Sequence, residues 1–174
     1  NCNGSTQKYL SRKFTEEPIH NIESQISSSK NKRKDNKIDA YQFGLNLAAN
    51  CKDDLVTLQS LLGINDLKYK TIADQLANEI MQCGIDYFNE SQENDSSDNY
   101  LEQAQKLTKI ADRIAIGKLT KDRAKDSLAS LEEMKDQELS KAIEILQSIK
   151  DAYSTNSTRL MRQIKEQEAS MGYG

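Results

Sequence analysis

Apolar side chains recur three and four positions apart along most of this chain, the spacing that lines one face of a helix. No run alternates apolar and polar residues between turn formers, as a half-buried strand would. The clearest helical stretch is 72–89. There Ile72, Leu76, Ile80 and Cys83, with Phe88 or Tyr87, make a core face, and Gly84 stands where a helix favours Ala. This stretch is predicted to be the main part of a third helix over 67–89.

The same spacing predicts its neighbours. Thr15 is read as the cap of a first helix, with Pro18 tolerated in the first turn and Ile19, Ile22 and Ile26 as its stripe. A second helix starts near Asp39 or Ala40 and carries Leu47, Cys51, Leu55, Leu58 and Leu62. Gly63 is the expected left-handed residue past its end, and Asn65 or Asp66 the next cap. A fourth helix over 99–116 uses Leu101, Ala104, Leu107 and Ala111, and Gly117 is expected to end it. Thr120 is expected to cap a fifth, which carries Ala124, Leu128, Leu131 and Met134. The stripe Ala142, Ile143, Leu146, Ile149 and Tyr153 extends it, and Ser154-Thr155-Asn156-Ser157 is expected to break it before a last short helix around Leu160.

The resulting fold class is all-α: antiparallel helical hairpins forming a bundle or TPR-like stack of five to seven helices, because short links make consecutive helices antiparallel neighbours. Residues 1–13 are expected to be a flexible tail, 14–168 a single helical domain and 169–174 a frayed end. The polar stretch 90–98 is expected to be a solvated loop.

Composition agrees, with one Pro, no Trp and 29% charged residues. Charge is uneven. Residues 1–37 hold eight Lys/Arg and four acids, a net of +4, and the remainder sixteen against twenty-three, a net of −7. An acidic body disfavours a nucleic-acid surface. The cluster Lys30, Lys32, Arg33, Lys34 and Lys37 lacks interleaved aromatics and reads as a solubilising connector between helices, with an acidic or polyanionic partner as the alternative. No apolar run is long enough to span a membrane.

Candidate chemistry is sparse. His20 is the only histidine, so neither a His-based nucleophile system nor a di-iron bundle site with its Glu-x-x-His pairs can be assembled. Asp74, Glu79 and Asp86 share a helix but not one face, and are expected on a solvated side. Cys2, Cys51 and Cys83 form no metal-binding spacing, and Cys83 is expected to be a core thiol. Gly84 is expected at a close helix crossing. Gly-rich phosphate loops are absent. The expectation is no catalytic residue, no metal and no cofactor.

Several segments resemble a known group of proteins. They are Phe14, Pro18, Ile19, Ile22 and Glu23 with Lys30, Lys32 and Arg33; then Leu58, Leu61, Leu62, Gly63, Asp66 and Tyr69; the run from Ala73 to Asn89; and Ile114-Ala115-Ile116-Gly117-Lys118 with Lys121-Asp122-Arg123. Together they resemble a helical region of uncharacterised bacterial proteins, mostly from Bacteroidetes, some of which carry it after a J domain. The resemblance covers 14–134 and implies a cytoplasmic, TPR-like module with an unknown protein partner. No His-Pro-Asp signature occurs in this sequence, so a chaperone role would rest on another part.

The expected function is a non-enzymatic protein–protein interaction or scaffold module, part of a larger co-chaperone-like protein. Tyr41, Tyr69, Tyr87 and Tyr100 are expected at an exposed groove, since aromatics supply interface energy. A homo-oligomer is compatible with the pattern. The alternative is a periplasmic or surface lipoprotein anchored through Cys2: the chain opens at Asn1 with neither Met nor an apolar leader, which reads as a processed piece.

Overall fold

Gly63 and Asp66 make a tight corner between two helices. Gly63 has φ 82° and returns its N–H to the Gln59 carbonyl, closing one helix in a conformation that favours glycine. Three residues later the Asp66 carboxylate accepts the backbone N–H groups of Lys68 (2.8 Å) and Tyr69 (3.1 Å), opening the next.

The computed structural model describes the backbone of residues 3–94 and 99–172, with side chains from Arg12 onward. Among the described residues there are five helices and no strand: α1 (Asn3–Asp35), α2 (Ala40–Leu62), α3 (Leu67–Asn94), α4 (Tyr100–Ile114) and α5 (Lys118–Met171). The all-α class is as the spacing predicts. The chain divides into two units, Asn1–Leu131 and Glu132–Gly174, rather than the single domain expected over 14–168.

In the first unit α3 is the central helix. It buries thirteen residues, against five for α2. The reason lies in its composition: Ala73, Ala77 and Gly84 sit among Ile72, Leu76, Ile80 and Met81, so several sides are small or apolar enough for neighbours to approach. α1 and α2 run antiparallel, with Asn50 bonded back to Gln25. α2 and α3 run antiparallel, with Tyr41 against Tyr87, and α4 returns along α3, with Tyr100 against Phe88. The core joins Ile22 of α1, Leu47, Cys51 and Leu58 of α2, most of α3, Leu107 and Ala111 of α4, and Ala124 of α5.

Of the two glycines inside α2 and α3, Gly44 meets its neighbours more tightly. A Cβ there would lie 2.9 Å from Leu107 Cδ1 and 3.0 Å from Cys83 Cβ. Gly84, where close packing was expected, is nearer to ordinary contact, at 3.4 Å from the Ala104 carbonyl oxygen and from Leu107 Cβ. Both glycines serve the α2–α3–α4 junction, and Gly44 is the tighter.

Five boundaries differ from those the sequence suggests, and at four of them a polar side chain bonds back along its own helix or is met by another helix. α1 does not start at Thr15: its hydroxyl donates to the Arg12 carbonyl (2.9 Å), and the helix runs from Asn3 through Pro18, so residues 3–13 are helical. α3 continues to Asn94, whose side-chain amide donates to the Glu90 carbonyl (2.8 Å), so 90–94 are helical; residues 95–98 lie outside the described residues. Thr120 lies inside α5, not at its cap. α5 also runs unbroken through 154–157, where Thr155 and Thr158 bond back to the carbonyls of Asp151 (2.9 Å) and Ser154 (3.0 Å) rather than capping a new helix. The expected fray at 169–174 is helical to Met171; residues 173–174 lie outside the described residues.

In the second unit α5 carries a long apolar stripe. Every large apolar side chain from Leu139 to Ile164 is between 49% and 77% exposed.

Candidate functional site

The last turn of α1 holds an arginine that its surroundings in sequence disguise. Arg33 lies among Lys30, Lys32 and Lys34, which are exposed. Arg33 itself is 8% exposed. It faces α3, where Glu79 and Asp86 are two helical turns apart and so lie along one side. Arg33 donates to both Glu79 carboxylate oxygens, Nε to Oε1 at 3.0 Å and Nη2 to Oε2 at 3.1 Å, and Nη1 donates to Asp86 Oδ2. A planar guanidinium makes this fork-to-fork pairing where an ammonium would not.

Further groups complete the cluster. Ser29 Oγ donates to Glu79 Oε1 (3.3 Å) and lies 3.5 Å from Cys83 Sγ. Gln82 Nε2 donates to Asp86 Oδ1 (2.9 Å). Arg123 of α5 reaches Asn78 Oδ1 (3.0 Å) and Gln82 Oε1 (3.4 Å), so the polar face of α3 bridges α1 and α5.

This arrangement corrects three expectations. Arg33 is not part of a solubilising connector, and Glu79 is 7% exposed rather than solvated. Glu79 and Asp86 do share one face, since seven residues return a helix to the same side and both carboxylates meet Arg33. Helical spacing sets Asp74 and Glu79 on different faces, which they are. It did not show that both faces of α3 are covered.

Burial of Arg33 alone would pull its pKa down; the bonds to Glu79 and Asp86 and the charges of both outweigh that, and the net direction is up. The guanidinium is permanently charged. The Cys83 thiol is pushed up to about 11, chiefly by burial, with the Ser29 bond and the Arg33 charge opposing and the carboxylates adding. Cys51 is likewise pushed up to about 11 by burial, with Asp54 adding. Both thiols are fully buried and protonated near neutrality, the condition of a core cysteine rather than a nucleophile. Among the described residues no three His, Cys, Asp or Glu side chains stand together as a set able to hold a metal.

A second polar contact fixes the α4–α5 corner. Asp74 Oδ1 accepts the backbone N–H groups of Ile116 (2.8 Å) and Gly117 (3.0 Å), and Oδ2 accepts Gly117 at 3.1 Å. The two residues just ahead of α5 are therefore held by α3, and Thr120, inside the helix, accepts Asn78 Nδ2 of α3 at 3.5 Å.

The tyrosines do not form the expected exposed groove. Tyr69 and Tyr87 are 4% and 7% exposed, and burial raises the pKa of Tyr69. Tyr41 packs on Tyr87 with ring centroids 5.6 Å apart, and Tyr100 on Phe88 at 5.4 Å. These rings close helix junctions instead, Tyr41 and Tyr100 being half-buried. His20 is exposed on α1. Cys2 lies outside the described residues.

Compared with models of known protein families, with curated proteins and with solved structures, the chain matches none. Among the described residues no helix is long and apolar enough to cross a membrane.

Proposed function

We propose that this chain is a non-enzymatic helical module that binds another protein through the C-terminal part of α5. The single observation that carries the reading is the stripe from Leu139 to Ile164, whose large apolar side chains are all about half exposed or more. Contiguous apolar surface of that extent marks a place where a partner sits. The polar clusters support a structural rather than catalytic role: Arg33, Glu79 and Asp86 satisfy one another, and both buried thiols stay protonated. With the J-domain resemblance, the reading extends to a TPR-like part of a larger, cytoplasmic, co-chaperone-like protein.

The test uses the whole chain and its Leu146→Glu/Ile149→Glu variant as baits in the same extract. A protein captured by the first and lost from the second is the expected result. Identical capture by both baits would count against the stripe as the binding surface.

A further inference from the structure

The stripe on α5 has an internal symmetry that points to its occupant. At 100° per residue its members share a band roughly 120° wide, with Ile145 alone lying about 40° outside it. They mirror one another about the peptide joining Asp151 and Ala152. Leu139 is matched by Ile164, Ala142 by Met161, Ile143 by Leu160, and Ile149 by Tyr153 to within one position; Ile145, opposite Thr158, and Leu146, opposite Ser157, break the mirror. A helix whose apolar face reads alike in both directions can lay that face on a reversed copy of itself with matching register, the self-complementarity that two-fold pairing demands.

Charge supports the same direction. Residues 132–151 carry six acids and three lysines, a net of −3, while 152–171 carry three Lys/Arg and two acids, a net of +1. Antiparallel pairing sets each negative half beside the partner's positive half; parallel pairing would set −3 beside −3.

We infer that α5 pairs antiparallel with α5 of a second copy of this chain, centred on Asp151–Ala152. This rests on the reading of the stripe as a binding surface and names its partner. The side chains from Leu139 to Ile164 then form the seam of a homodimer.

Light scattering on the full chain at about 50 μM, a concentration at which micromolar affinities populate the complex, is expected to give twice the 19.7 kDa of one chain. Ile143→Glu and its mirror Leu160→Glu are expected to weaken dimerisation equally, each by at least about tenfold. Far-ultraviolet circular dichroism confirms that each variant remains helical. In chains carrying Cys2→Ser, a mixture of Leu139→Cys and Ile164→Cys chains is expected to form the mixed disulfide on mild oxidation, and Leu139→Cys alone to form none. A monomer, unequal effects of the mirror variants, or a Leu139→Cys homodisulfide would overturn the inference. A monomer that still captures a stripe-dependent protein overturns self-pairing alone, whereas one that captures none overturns the binding reading as well.

Discussion

Asp74 and Gly117 are fitted to each other: the carboxylate accepts the glycine N–H through both oxygens, and a Cβ at position 117 would lie 2.3 Å from Asp74 Oδ2. No Cβ fits there while Asp74 keeps its place. The contact turns α4 into α5 and holds the turn against the central helix, so its loss affects a corner and not one bond.

Gly117→Ala is expected to destabilise the first unit by about 1–3 kcal/mol, because the displaced carboxylate leaves backbone donors unmet. Asp74→Ala should cost a similar amount. Since both remove the same contact, the double variant is expected to fall well short of the sum, a coupling that urea denaturation of the four proteins measures.

Removing Arg33 should be more severe than its place in a lysine-rich run suggests. Arg33→Met leaves Glu79 buried without its partner, an expected loss of about 3–5 kcal/mol. Arg33→Lys keeps the charge but not the two-pronged geometry and should recover only part of it. Arg33→Met with Glu79→Leu should regain most of the loss, read as a thermal midpoint returning toward wild type.

The two glycines at the α2–α3–α4 junction should respond differently. Gly84→Ala meets its neighbours at 3.4 Å and gains helix propensity, so its midpoint should be unchanged or slightly higher. Gly44→Ala presses on Leu107 and Cys83 and should destabilise by about 1–3 kcal/mol. Leu107→Ala added to Gly44→Ala should cost less than Leu107→Ala alone.

Stability should fall as pH rises from 9 toward 11. Below the ordinary thiol value of 9.0 both folded and unfolded chains keep their cysteines protonated. Above it the unfolded chain loses protons first, while Cys51 and Cys83 hold theirs to about 11, so deprotonation favours unfolding. Tyr69, shifted upward as well, acts in the same direction. Urea midpoints at pH 8 and pH 10.5 measure the fall, and Cys51→Ala with Cys83→Ala should flatten it. Alkylation of both thiols at pH 8 should require unfolding.

Much of the framework was legible because apolar spacing sets it: the core face Ile72, Leu76, Ile80 and Cys83 is buried, and Gly63 and Asp66 turn the chain where expected. Arg33 was not legible, because exposed lysines surround it and its partners lie 46 and 53 residues away. The tyrosines misled for a related reason: a ring at a helix end can serve a junction or an interface, and only the neighbouring helix decides which. At 154–157 the residues that commonly end helices instead bond back into one. The stripe beyond Leu139 was visible as periodicity, but its exposure was not, since burial depends on what lies across from it.

The order of assembly follows from the position of α3. Its pairings with α2 and α4, like that of α1 with α2, join helices adjacent in sequence, whereas the contact of α1 with α3 spans 46 residues through Arg33. Loop entropy makes a direct meeting of α1 and α3 costlier than any of the three hairpins. The hairpins should therefore form first and the Arg33 contact with α3 close last, carried in by the α1–α2 pair. The basic helix is thus a latch, and Arg33 is its catch.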